Sequence, residues 1–359
     1  RALHLVDFLS YRAAFCGVPY GEQRQALAAV TDGTESWQRG FAGAARRLHR
    51  AATAAGLADH PTTASRTWLA VAGTYQAASL GFHLETEPRG WRRRLGRWRR
   101  LARAAYARAM DLDPSLAEPV TVPVPGGRVA GYLRRSPGPS AGTVVLVNGL
   151  DSMSEVELHR FAEPFLERGF HTLALGLPDP APACGGSVGP RSERAASAIV
   201  DWVVSRGLLG PGRLLAAFGV SFGGQVVARL MSGDPRFAAG VAVSPPAWID
   251  EPVLEQTRFR RMLAQAFGVD DGPGARRVAG ELSLSGLRVP RGDLLVLGML
   301  DDALFGPAHV DAYSRWGGDA VAVREIAAEH VGTSKIHLWL PAVCDWCAER
   351  VPAGARRTA

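Results

Sequence analysis

The sequence predicts an α/β protein, a mostly parallel sheet flanked by helices, with a helical region ahead of it. Three observations lead there. Over the later two thirds of the chain, short β-branched or apolar runs alternate with helix-length segments, the pattern of a parallel sheet covered on both faces. The earlier third repeats apolar residues at three and four with few strand signals. Between them "DPSLAEPVTVPVPGG" changes the texture with its prolines and a glycine turn. The expected division is a helical N-terminal region over 1–115 and an α/β domain over 116–359. At 359 residues the chain is long enough for one large domain with an appendage of roughly 100 residues.

In the first region "WQRGFAGAARRLHRAATAAGLADH" and "RTWLAVAGTYQAASLGFHL" carry the helical period, while "DHPTT" and "ETEPRG" supply breakers and caps. "RVAGYLRR" alternates as an edge strand would. The following strand candidates are 143–148, 171–176, 213–219, 239–244, 293–298 and 320–327. Helices are expected near 154–168, 191–206, 223–233, 307–317 and 334–350.

The formal net charge is +7, but eight arginines fall between Arg89 and Arg103, so the remainder is close to neutral. Trp91, Leu95, Trp98 and Leu101 give that segment an apolar stripe with arginines around it, as in a solvated amphipathic helix. No nucleic-acid partner is therefore expected. Lys335 is the one lysine among 41 basic residues, a bias typical of a high-GC bacterial genome. No apolar run approaches the ~18–20 residues of a membrane span, so no membrane partner is expected either. The opening "RALHLVDFLSYRAAF" lacks the ordered regions of a secretory signal, which makes the cytoplasm the expected location. Cys16, Cys184, Cys344 and Cys347 form no disulfide framework, and "CDWC" has no second Cys/His pair at ligand spacing. These read as packing thiols, with no metal and no cofactor.

Ligands of open α/β sheets bind at the carboxyl ends of strands, so the residues after each strand carry the chemistry. After "RLLAAF" comes Gly219-Val220-Ser221-Phe222-Gly223, a G-x-S-x-G leading into the helical "QVVARLM". Small residues there permit a strained strand-to-helix turn that exposes the serine hydroxyl. After "DLLVLG" comes "MLDD", where Asp301, three residues beyond Gly298, is preferred over Asp302 and Asp293 to orient a histidine. His330 follows the last strand candidate directly, whereas His337 lies on a helix face. The order Ser221, Asp301, His330 is that of the α/β-hydrolases. An oxyanion hole is then expected from the backbone N–H groups of Phe222 and Leu150, with Gly149 allowing close approach. Asp151, Asp250 and Glu251 are further candidates at the pocket, each with a plain loop or surface role as the alternative.

With these residues placed, the chain resembles the α/β-hydrolase group that contains 2,6-dihydroxypseudooxynicotine hydrolase, the fermentation-respiration switch protein and fungal polyketide-shortening pigment hydrolases. The resemblance rests on "VPVPGGRVAGYLRR", "VNGLDSMSEVEL", "GVSFGGQVVARL", "GMLDD" and "AAEHVG", behind a Trp-rich helical region. It implies a helical lid over the serine, a triad of Ser221, Asp301 and His330, and no metal or organic cofactor. Several members cleave a carbon–carbon bond beside a ketone, and others are esterases. Where relatives often carry a D-x-P-G-x-G-like segment, this chain has "GLPDPAPACGGSVG", rearranged around Cys184, so the resemblance does not extend to that pocket wall.

The residues themselves predict attack of Ser221 on a carbonyl of a small-molecule substrate and acyl transfer to water; the resemblance implies that this substrate is a polyketide-like or aromatic ketone or ester in bacterial specialised metabolism. A carboxylesterase or thioesterase is the alternative, followed by an acyltransferase or cyclase using the same acyl-serine. From another class, a hydrolase-fold binding protein would keep the pocket without turnover. The Trp and Arg content of 1–115 suits a subunit interface as well as a lid, so a homodimer is a second expectation.

Overall fold

The computed structural model describes residues 2–31, 36–84, 89–176, 190–209 and 215–351. "GLPDPAPACGGSVG" with Cys184 lies, from residue 177 onward, outside the described residues. By its contacts the chain forms two units, one of residues 1–118 with 155–160, the other of 119–154 with 161–359.

The first unit is built from α1 (Ala2–Phe15), α2 (Tyr20–Thr31), α3 (Trp37–Leu57), α4 (Pro61–Leu80) and α5 (Trp91–Leu112). Its core gathers Leu9, Ala13, Val18, Ala26, Trp37, Phe41, Ala77, Ala78 and Leu80. Trp37 anchors it twice: its indole N–H donates to Ala77 O at 2.7 Å, and its ring lies 4.5 Å from that of Phe41. The arginine-rich segment is helical, as expected, and Arg92, Arg93, Arg97 and Arg100 are exposed along α5. Trp91 and Leu95 are buried, while Trp98 is half-buried and stacks on Tyr75 with 6.1 Å between centroids. Residues 155–160 join this unit through buried polar contacts. Glu157 accepts from Arg12 Nη2 at 3.1 Å and Gln76 Nε2 at 2.9 Å, Arg103 pairs with Glu155 at 3.0 Å, and Tyr106 Oη stands 2.9 Å from His159 Nδ1.

The second unit is an eight-stranded sheet in the order β1-β2-β4-β3-β5-β6-β7-β8. The strands are β1 (Glu118–Val124), β2 (Gly127–Arg134), β3 (Gly142–Val147), β4 (Phe170–Leu175), β5 (Leu215–Val220), β6 (Phe237–Val243), β7 (Asp293–Met299) and β8 (Val321–Ile326). β2 runs antiparallel to β4, and the ladders from β4 through β8 are parallel. "RVAGYLRR" is β2, one place in from the margin, because "EPVTVPV" is itself the edge strand β1. Pro119 and Pro123 suit that place, since a proline gives no N–H to a ladder. The central strands β3 and β5 are buried throughout.

Helices α6 (Glu157–Glu167), α7 (Ala196–Ser205), α8 (Phe222–Gly233), α12 (Pro307–Gly317) and α13 (Ile336–Arg350) fall close to their expected spans. Between β6 and β7 the chain forms α9 (Glu251–Glu255), α10 (Thr257–Phe267) and α11 (Pro273–Glu281), which the strand-and-helix reading of the sequence left out. Cys344 and Cys347 are buried in α13, and burial pushes the Cys347 thiol up to about 12. Among the described residues no helix is long and apolar enough to cross a membrane.

Candidate active site

β5 ends at Val220 and α8 begins at Phe222, so Ser221 alone makes the turn between them. It does so at φ 54 and ψ −125, a conformation that costs a non-glycine residue of order 1–3 kcal/mol. Two hydrogen bonds hold it: the Ser221 N–H donates to Val243 O at 2.7 Å, and Ser221 O accepts from the Gly224 N–H at 2.9 Å. The motif's glycines are steric requirements. A Cβ at Gly219 would run into the carbonyl of Gly223, and one at Gly223 into the carbonyl of Val147. The serine therefore stands on a tight turn at the positive end of α8, where developing negative charge is favoured.

His330 Nε2 lies 2.9 Å from Ser221 Oγ, and His330 Nδ1 lies 2.7 Å from Asp302 Oδ2. An ionised carboxylate only accepts, so Nδ1 carries the proton, and whenever the ring is neutral Nε2 is the acceptor for the serine hydroxyl. The carboxylate beside His330 is Asp302, which corrects the expectation of Asp301. β7 runs one residue past Gly298 to Met299, and the chain then turns, with the Asp302 N–H donating to Met299 O at 3.1 Å. Within that turn the Asp301 N–H donates to Ala328 O at 3.1 Å and its side chain is exposed. Asp302 comes one step later, with a fully buried side chain. Its Oδ1 accepts from the N–H groups of Leu304 at 2.8 Å and Phe305 at 3.0 Å. Burial pushes this carboxyl up, but the His330 charge and hydrogen bond together with those two amides outweigh it and hold the group below its usual range.

The loop after β3 abuts the serine: a Cβ on Gly149 would meet Ser221 Cβ at 3.4 Å. Asn148 shapes this loop by donating from Nδ2 to Gly149 O at 2.9 Å and Ser152 O at 3.1 Å. Leu150 sits buried in that turn, and Phe222 is the first residue of α8, where a helix offers its N–H no carbonyl of its own. Both expected oxyanion donors thus belong to segments flanking Ser221. Asp151 is half-buried in the same turn. Asp250 and Glu251 have other work: Asp250 caps α9 by accepting from the Val253 N–H at 3.2 Å, and Glu251 pairs with Arg276 at 2.8 Å on the surface.

An aromatic group borders the imidazole. The Phe305 ring lies 5.5 Å from that of His330, 5.3 Å from that of His309 and 6.0 Å from that of Phe259, and Trp248 lies 4.3 Å from His309. His309 Nδ1 accepts the Ala247 N–H at 3.1 Å, and burial keeps this ring below the ordinary imidazole range against the opposing charges of Asp250 and Asp302. Neither Phe305 nor His309 was singled out from the sequence. The usable signal was "DDALF", in which the second Asp can cap the amides two and three residues on. Among the described residues no group of three or more His, Cys, Asp or Glu is placed to hold a metal.

Comparisons with known proteins bear on the fold and the family. The crystal structure of a 2,6-dihydroxy-pseudo-oxynicotine hydrolase superposes with a TM-score of 0.80 at 18% identity, covering 96% of both chains. AbyA5 superposes with a TM-score of 0.61 at 16% identity, over 86% of this chain and 89% of its own. A puromycin-hydrolyzing peptidase of Mycobacterium tuberculosis gives 0.52 at 18% identity, over 67% of this chain and 41% of its own. At such identities the likeness establishes the α/β-hydrolase fold. No curated protein sequence matches the chain. A profile of the family described as "Esterase FrsA-like" matches residues 36–250, more than half of the chain. With its sheet order and its helical N-terminal region, this chain belongs to the FrsA-like esterase family of α/β-hydrolases.

Proposed function

We propose that this chain is a cytoplasmic serine hydrolase of bacterial specialised metabolism, cleaving a ketone carbon–carbon bond or an ester in an aromatic or polyketide-like substrate. The observation that carries the reading is the hydrogen-bonded line from Ser221 through His330 to Asp302 on a strained turn at a helix N-terminus. His330 Nε2 takes the Ser221 proton as Oγ bonds to the substrate carbonyl carbon. Asp302 keeps the ring in the tautomer that can do so and stabilises the imidazolium that forms. The Phe222 and Leu150 N–H groups receive the oxyanion. Collapse expels the leaving group, which takes the proton from His330. Water then attacks the acyl-serine with His330 again as base, releasing an acid and free Ser221.

For an ester the departing atom is oxygen. For a ketone it is carbon, which leaves only if an adjacent ring or carbonyl spreads its charge. Phe305, whose ring lies 5.5 Å from that of His330, and Phe259, which packs against Phe305, support an aromatic substrate, and the carbon–carbon half of the reading rests on the resemblance. Plain ester hydrolysis is the second reading, favoured by the family's description.

The test is intact mass after treatment with a fluorophosphonate probe. Wild type should gain one adduct that Ser221→Ala and His330→Ala lack; a folded wild type with no adduct would end the proposal. Product analysis on an aryl ketone and on the ester of the same aryl group then separates the two readings.

A further inference from the structure

The chain leaves β6 through Ser244, which sits in the left-handed region at φ 47 although Pro245 follows it. A residue ahead of proline is ordinarily extended, and a non-glycine residue at positive φ is uncommon anywhere. The Ser244 N–H donates to Leu297 O at 2.8 Å, which ties this backbone to β7. Its side chain is buried, and Ser244 Oγ accepts the Val331 N–H at 2.9 Å. Val331 directly follows His330 and is a β-branched residue at φ 69, a sharper outlier still. Of the four described non-glycine residues at positive φ, two therefore meet in one hydrogen bond, and a third is Ser221. Such conformations persist where their surroundings over-determine them.

We propose that Ser244 is a positioning residue for His330: its hydroxyl fixes the Val331 amide, and with it the backbone from which the imidazole reaches Ser221 and Asp302. The inference rests on the reading of His330 as general base. Other contacts hold the same loop further along. Trp339 Nε1 donates to Gly332 O at 2.8 Å, the Gly332 N–H to Glu329 O at 2.7 Å, and the Ser334 N–H to Glu329 Oε1 at 2.8 Å. Ser244 is the one among these that takes the N–H of the peptide joining His330 to Val331. A general base displaced by ~1 Å can lose about a hundredfold in rate.

The experiment compares wild type with Ser244→Ala and Ser244→Gly, and includes Ser221→Ala. Glycine accepts φ 47 without strain, so Ser244→Gly removes the hydroxyl while easing the backbone. The readouts are the fluorophosphonate labelling rate, kcat and KM on a p-nitrophenyl ester, and hydrogen exchange at the Val331 amide. Both Ser244 variants should label and turn over about 10- to 100-fold more slowly with KM within about twofold of wild type. Val331 exchange should rise. A folded Ser244→Gly that labels and turns over at the wild-type rate overturns the role of Ser244 and leaves the hydrolase reading intact. Adduct formation persisting in Ser221→Ala overturns that reading instead, and the role of Ser244 with it.

Discussion

At the residue scale the site turns on which of two adjacent carboxylates faces His330. Asp302 is buried, accepts two backbone amides and sits 2.7 Å from Nδ1, while Asp301 is exposed. Asp302→Asn keeps the shape but offers the ring an amide, so the tautomer that accepts the serine proton is no longer held, and kcat should fall by about 10⁴. Asp301→Asn should stay within about twofold of wild type, as surface substitutions do. Steady-state kinetics on one ester decides it, and equal losses in the two variants would contradict the assignment. Ser221 and His330 were legible because each is marked locally, one by glycines that sterics demand, the other by its place after the last strand. The aspartate was legible only to within one position. Choosing between neighbours requires knowing where β7 stops and how the turn from Met299 to Asp302 closes, and hydrogen bonds to Met299 and Ala328 decide that.

At the element scale the parallel strands were legible from their β-branched runs, while the segment between β6 and β7 was not. α9 has the five residues Glu251–Glu255, and α10 and α11 are short arginine-containing helices whose period is hard to tell from a polar loop. α12 meets the start of this segment through His309, which takes the Ala247 N–H and lies against Trp248. Because burial lowers the His309 pKa in the folded protein, the unfolded chain binds this proton more readily, near ~pH 6.5. The stabilisation is complete above that pH and is lost as pH falls through the folded value. His171, also lowered chiefly by burial and then by Arg135, contributes with the same sign. Tm should therefore drop between pH 7.5 and 5. His309→Asn, whose side-chain carbonyl can accept the same N–H, should reduce that slope without abolishing it. An unchanged slope in thermal melts of the folded variant would show that His309 does not carry the effect.

At the scale of the whole molecule, the first unit is not a contiguous stretch of chain. Residues 155–160 belong to it, although in sequence they read as an ordinary connection between β3 and β4. The helical period expected over 154–168 does not set them apart from the rest of that helix, since what assigns them is side-chain pairing with residues far away: Arg12 and Gln76 with Glu157, Arg103 with Glu155, Tyr106 with His159. Glu157 is the most consequential. Its carboxylate is 4% exposed, and removing one partner of a buried pair typically costs about 3–5 kcal/mol, a large share of the roughly 5–15 kcal/mol that holds a protein folded. A fragment of residues 1–118 loses all three partners at once and should melt without a cooperative transition. In the full chain, Glu157→Ala should lower stability to urea by that amount. Glu157→Gln should lose less, because its amide oxygen still accepts from Arg12 or Gln76. If the fragment instead melts as sharply as the full chain, residues 155–160 are dispensable to the helical unit, and the three polar pairs stabilise only the segment they hold.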